Sequence, residues 1–145
     1  MPTNAPVLLV ALIGTAMAAV IDLRTRRVPD RVTLALAATG VALAATGFGR
    51  VGVIAACAGA ATGLLLMLPG YLFGATGGGD VKLLAAAGTL LGPGATVWAF
   101  VATLIVGGAV AAAVAVHRRW TQRADRSVAY APAIAVGVTL AVVFA

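Results

Sequence analysis

The sequence predicts an all-α, polytopic membrane protein with about six transmembrane helices. Hydrophobic residues make up 62% of the 145 residues and charged residues only 10%. The mean hydropathy of +1.09 lies far above that of a soluble globular domain. Because one crossing needs about 20 mostly apolar residues, the chain has room for short spans and little else, so a single membrane-embedded domain is expected over residues 1–145.

Apolar segments alternate with polar or glycine-rich connections along the whole chain, and each segment is long enough for a short helix. The predicted helices run from Pro6 to Ile21, Val32 to Thr46, Val51 to Phe73, Val81 to Leu91, Ala95 to Val116 and Val128 to Ala145. Glycine and proline mark the breaks, as in the turn Gly92-Pro93-Gly94. None of the connections is long enough to separate two domains.

Three glycine pairs have the four-residue spacing that allows membrane helices to approach each other closely. They are Gly59 with Gly63, Gly70 with Gly74, and Gly88 with Gly92. We expect all three pairs to serve helix packing.

The basic residues predict the orientation of the chain. Nine of the ten fall in the first, third and fifth connections, and only Arg50 falls elsewhere. The positive-inside rule therefore places those three connections in the cytoplasm. The same charges lack the aromatic-interleaved pattern of a nucleic-acid site, so membrane lipid is the expected surrounding and no nucleic-acid partner is predicted.

Two aspartates lie at helix ends in this hydrophobic chain, Asp22 closing the first predicted helix and Asp80 opening the fourth. Ionisable residues near membrane segments are costly and mostly functional. The predicted topology puts both carboxylates on the cytoplasmic side, where they could share one site. The alternative is structural, with each aspartate capping a helix end or pairing with Arg24 or Lys82.

A pair of carboxylates can hydrolyse a peptide bond. One acts as general base on a water molecule, while its protonated partner polarises the carbonyl group and later donates a proton. Two close carboxylates do not both ionise easily, which separates these roles. Asp80 near a helix N-terminus is favoured as the anion and base, whereas Asp22 near a C-terminus is favoured as the acid.

Gly77, Gly78 and Gly79 precede Asp80 and are expected to allow unusual backbone angles and to leave space for an extended substrate. Lys82 could bind a lipid phosphate, pair with an aspartate or anchor its helix at the interface. Asp30, Asp125 and His117 are interpreted as solvated charges in loops. No cluster has the spacing of metal ligands, so neither a metal nor a cofactor is expected.

Three stretches of the chain resemble the type IV prepilin leader peptidases, which are aspartic proteases of the bacterial inner membrane. They are DLRTRRVPD from Asp22, GGGDVKLLAAAG from Gly77, and VAYAPAIAVG from Val128. The second matches the Gly-x-Gly-Asp-x-Lys segment of that family and is the most specific. The turn Val28-Pro29-Asp30 departs mildly from the family's Ile-Pro-Asn.

The resemblance implies that Asp22 and Asp80 are the catalytic pair, with Gly77, Gly79 and Lys82 as supporting residues. It implies an endopeptidase that removes the cytoplasmic leader of a precursor pilin or pseudopilin. Longer members carry two Cys-x-x-Cys pairs and also methylate the new N-terminus. This chain has one cysteine and resembles the short form of tight-adherence pilus systems, so cleavage without methylation is expected.

A different class of function stays open at this stage. A small membrane carrier, or a scaffold for pilus assembly, could use Asp22 and Asp80 to bind ions or relay protons. Inverted repeats and carboxylates in broken helices at the membrane centre are typical of carriers, and the sequence has no evident repeat. Neither the oligomeric state nor the identity of the pilin is predicted.

Overall fold

A computed structural model of the chain describes residues 5–25, 29–49, 51–121 and 131–144. Every regular element in these ranges is an α-helix, which confirms the predicted all-α class. The described helices are α1 (Ala5–Thr25), α2 (Asp30–Thr46), α3 (Val53–Leu72), α4 (Gly78–Thr121) and α5 (Ala131–Phe144).

Helix α4 consists of two arms that meet at Gly92. The backbone angles of Gly92, φ 75° and ψ 172°, are not helical, and only glycine adopts them readily. The hydroxyl of Thr96 donates a hydrogen bond to the Gly92 carbonyl oxygen at 2.6 Å, which satisfies this group at the break. The predicted turn is confirmed here. Each of the six predicted apolar segments thus corresponds to a helix or to one arm of α4, residues 78–91 and 93–121.

Two of the described helical stretches, and not six, are long and apolar enough to cross a membrane by length and composition. They are Val53–Leu72 and Gly78–Val110, the second of which continues through the break at Gly92. The prediction of six spans was too high by this criterion. The apolar stretches Leu9–Asp22 of α1 and Pro132–Ala141 of α5 are short, α2 has 17 residues, and the two arms of α4 count as one stretch, whereas a full crossing needs roughly 20 residues.

The first arm of α4 lies at the centre of the described helices. From Asp80 to Gly92, Lys82 is its only exposed residue, and Leu83 and Leu84 are completely buried. Helix α5 packs on the second arm instead, where Gly137 lies against the backbone and hydroxyl of Thr103. The core therefore follows α4 across both arms.

Helix directions follow from the residues that meet. Gly59 faces Gly88 and Gly63 faces Leu84, so α3 runs antiparallel to the first arm of α4. Glycine spacing predicts this close packing correctly for Gly59, Gly63, Gly88 and Gly92. It was wrong for Gly70 and Gly74, because Gly70 meets only the side chain of Thr76 and Gly74 lies beyond the end of α3.

Helix α2 runs parallel to the first arm of α4, since Asp30 contacts Lys82 and, further along, Gly40 meets Thr89. A short connection joins the end of α1 to the start of α2. One end of the bundle therefore contains the C-termini of α1 and α3 together with the N-termini of α2 and α4. We call it the carboxylate end, because Asp22 and Asp80 both lie there.

Much of the remaining surface is apolar. Several large side chains are more exposed than buried, among them Leu34, Ile54, Leu65, Trp98 and Ile105. Apolar side chains distributed around the outside of a helical bundle are typical of a surface that contacts lipid.

Candidate active site

Asp22 lies on the inward face of α1. The buried positions Val7, Ala11, Thr15 and Ala18 follow one another at intervals of three or four residues, and Asp22 continues the series. Such spacing defines a single helix face. Asp22 is only 7% exposed, so its carboxylate points into the protein although α1 ends three residues later.

Asp80 lies in the first turn of α4 and is likewise 7% exposed. The backbone N–H of Gly77 donates a hydrogen bond to Oδ2 of Asp80 at 3.3 Å, and the N–H of Asp80 donates to the Gly77 carbonyl oxygen at 3.1 Å. The first of these bonds is one half of a capping box, in which a carboxylate near the start of a helix accepts from the backbone N–H of the N-cap residue, here Gly77. The structural alternative for Asp80 is thus realised in part, since the residue does cap its helix.

The two buried carboxylates lie at the same end of the bundle. Asp22 lies close enough to act electrostatically on Asp80, and the interaction is repulsive when both are ionised. Burial removes water that would otherwise screen the charges. Two neighbouring carboxylates are the arrangement that acid–base catalysis by a carboxylate pair requires.

Neither aspartate shares a helix face with the neighbouring basic residue two positions later. Asp22 is buried while Arg24 is exposed, and Asp80 is buried while Lys82 is exposed. Residues two apart on a helix point in different directions. The predicted alternative of ion pairs from Asp22 to Arg24 and from Asp80 to Lys82 is therefore disfavoured by the helix geometry.

Lys82 contacts a different carboxylate. Its Nζ donates a hydrogen bond to Oδ1 of Asp30 at 2.8 Å, which joins the start of α4 to the start of α2. Among the options considered for Lys82, pairing with an aspartate is the one observed. The interpretation of Asp30 as a solvated charge is confirmed, since its side chain is 75% exposed. Its assignment to a loop was wrong, because Asp30 is the first residue of α2. Asp125 lies outside the described residues.

The loop before Asp80 is ordered by the end of α3. Gly74 has φ 69°, and the N–H groups of Gly74 and Ala75 donate to the carbonyl oxygens of Tyr71 and Gly70 at 3.0 and 2.8 Å. This pattern is a Schellman motif, which ends a helix with a glycine in the left-handed region. The loop therefore approaches Asp80 along a defined path.

The unusual backbone angles expected at Gly77, Gly78 and Gly79 are not observed. Positive φ occurs at Gly74 instead, and both Gly78 and Gly79 belong to the first turn of α4. The ring of Tyr71 covers Gly78, where a Cβ atom would lie 3.4 Å from the ring. Gly77 is exposed, so the expectation of space for a substrate beside Asp80 stays a prediction.

No group of three or more potential metal ligands occurs among the described residues. The chemistry available at the carboxylate end is that of two carboxylates, backbone amides and a nearby ion pair. Such a site can position water and transfer protons.

The fold and the site together define a class, namely a helical protein with an apolar exterior and a buried carboxylate pair. The chain belongs to the type IV leader peptidase family, which matches residues 9–112. Membership confirms the family resemblance found in the sequence and implies a peptidase acting on pilin-type proteins. Asp22 and Asp80 both fall inside the matched region. No curated protein and no solved structure matches the chain.

The ion pair between Asp30 and Lys82 is the part of the site that sequence reasoning missed. The two residues are 52 positions apart, and no local pattern links them. One signal was present, because a cation near a helix N-terminus is unfavourable with respect to the helix dipole. Lys82 therefore needed a nearby anion, and the sequence contains only four acidic residues.

Proposed function

We propose that this protein is an intramembrane aspartic endopeptidase that removes the cytoplasmic leader from precursor type IV pilins or pseudopilins. The observation that carries the proposal is the placement of Asp22 and Asp80. They are buried, come from different helices and lie at one end of the bundle. Family membership supports the peptidase activity in general.

In the proposed mechanism Asp80 is the general base. Burial and the neighbouring Asp22 oppose its ionised form, whereas the hydrogen bond from Gly77 and the N-terminus of α4 favour it. Asp22, near the C-terminus of α1, is the protonated partner and polarises the scissile carbonyl. Asp80 takes a proton from water, the resulting hydroxide attacks the carbonyl carbon, and the leaving amine receives the proton of Asp22 as the C–N bond breaks.

The proposed site faces the cytoplasm of a bacterial inner membrane. Support comes from the basic residues, since Arg24 and Lys82 lie at the carboxylate end with the two aspartates. In a precursor with a short basic leader followed by an apolar helix, the junction between the two would lie at the same membrane depth as the two carboxylates. Because the chain contains one cysteine, we propose that it cleaves the leader without transferring a methyl group.

The carrier alternative is less well supported by the positions of the carboxylates. The break in α4 at Gly92 is the kind of interruption that binds ions in carriers. However, Asp22 and Asp80 lie in terminal turns and not at this break. A carrier would place its ionisable residues near the membrane centre.

The test is cleavage of a co-expressed precursor pilin in membranes that contain wild type, Asp22→Asn or Asp80→Asn. We expect leader removal by wild type and its loss in both variants, with protein levels unchanged. Asp125→Asn is the matched control, because it removes the same charge at a residue assigned to a loop by sequence. Cleavage retained by Asp22→Asn or Asp80→Asn would refute the carboxylate pair. Cleavage by neither wild type nor variants would favour the carrier or scaffold.

A further inference from the structure

The exposure of Lys82 is unusual for the first arm of α4. It is the one exposed residue between Asp80 and Gly92, and its side chain is 56% exposed. A cation this close to the N-terminus of α4 is opposed by the helix dipole. The positive charge of Lys82 is compensated by Asp30. The negative charge of Asp30 lies in the first turn of α2, where the dipole of that helix favours it.

The two catalytic candidates lie on helices that share little packing with each other. Helix α1, which carries Asp22, packs mainly on α5 and α2, whereas its contact with α4 is slight. The spacing between Asp22 and Asp80 therefore depends on an indirect connection. Two packed routes provide it: α5 joins α1 to the second arm of α4, and α2 joins α1 to the first arm, which carries Asp80.

The ion pair between Asp30 and Lys82 joins α2 to α4 at the carboxylate end. Asp30 begins α2 soon after the end of α1, and Lys82 follows Asp80 by two residues on α4. Elsewhere α2 meets α4 at Gly40 and Thr89, about two to three turns further along. Near the carboxylates, Asp30 and Lys82 are the described polar contact between these helices.

We propose that Asp30 and Lys82 are positioning residues for the peptidase, a role that rests on the proposed function. Their ion pair sets the distance between the Asp22 and Asp80 carboxylates and takes no part in proton transfer. Exposed ion pairs contribute little to the free energy of unfolding. Misplacing a catalytic group by about 1 Å, in contrast, can lower turnover about 100-fold.

The kinetic test uses a synthetic peptide with a short basic leader, a glycine at the cleavage point and an apolar segment. Asp30→Asn and Lys82→Met should each lower kcat by about ten- to a hundredfold with KM changed less than about twofold. The double variant should be no worse than either single variant. Lys82→Arg, and the exchange of Asp30→Lys with Lys82→Asp, should recover most of the activity.

Two kinetic results would overturn the proposal. One is full activity in both single variants. The other is a loss in Lys82→Met alone, without recovery by the charge exchange, which would make Lys82 a contact for substrate or lipid.

A distance measurement separates this proposal from the proposed function. Cys57 is a free, exposed thiol, so a Cys57→Ala background allows spin labels at Arg24→Cys, near the end of α1, and Ala75→Cys, in the loop that leads from α3 into α4. Loss of the ion pair should broaden the label distance distribution, and the charge exchange should narrow it again. An unchanged distribution would contradict the positioning role. If wild type fails to cleave any precursor, the proposed function fails, while the distances still report whether the pair sets the spacing.

Discussion

Gly59 and Gly88 bring the backbones of α3 and α4 into direct contact. A Cβ atom added to either glycine would meet the carbonyl oxygen of the other. No side chain separates the helices at this point, and the contact lies in the first arm of α4, eight residues after Asp80. This contact anchors the helix that carries Asp80 to the rest of the bundle.

Alanine at Gly59 or Gly88 should destabilise the protein by about 1–3 kcal/mol, because the backbones cannot separate without disturbing neighbouring contacts. Thermal unfolding of the purified protein in detergent would measure the effect. Gly108→Ala is the control, since nothing lies within 4 Å of a Cβ atom there. A loss of stability in Gly108→Ala as large as that in Gly59→Ala would contradict the packing argument.

The carboxylate of Asp80 should have separable structural and catalytic roles. Asn retains an oxygen that accepts from the Gly77 N–H, so Asp80→Asn should keep the fold while losing cleavage. Asp80→Ala should lose cleavage and also about 0.5–2 kcal/mol of stability, as for a lost N-terminal cap. Unfolding of the two variants side by side measures the difference. Equal stability would show that the cap contributes nothing.

Gly77 should act through its backbone N–H. Gly77→Pro removes the donor to Asp80 and should lower kcat about tenfold. This factor corresponds to the lower end of the free energies of hydrogen bonds to charged groups. Gly77→Ala keeps the N–H, and its Cβ would lie 3.4 Å from Oδ2 of Asp80, an ordinary contact. Peptide cleavage rates of both variants provide the measurement. A comparable loss in Gly77→Ala would instead indicate that substrate needs the open space at this residue.

Gly92 should tolerate no side chain. Its backbone angles are strained for other residues, and a Cβ atom would lie 2.9 Å from Cγ1 of Val51. Gly92→Ala should destabilise the protein by about 1–3 kcal/mol. Limited proteolysis and thermal unfolding would detect this loss. The control is Gly94→Ala, two residues away, where a Cβ atom meets nothing within 4 Å; unchanged stability in Gly92→Ala would contradict the strain at the break.

The helices and their breaks could be predicted from sequence because they depend on local chemistry. Apolar segments form helices, and the chain turns at Gly92 as predicted, whereas the positive φ expected in the loop at Gly77–Gly79 occurs at Gly74. The importance of Asp22 and Asp80 could also be predicted, because carboxylates are costly beside apolar segments. The number of full-length spans could not be predicted, because an apolar segment indicates where a helix lies but not its exact length, as the 17 residues of α2 demonstrate.

What the sequence alone determined is the all-helical class, the family and the identity of the two aspartates as candidates. Only the tertiary structure decided which residues meet across helices. Local patterns specify a helix face, as the buried series ending at Asp22 demonstrates, but not the partner of that face. The pairing of Asp30 with Lys82 arises because α2 runs parallel to the central arm of α4, and that direction is a property of the whole packed bundle.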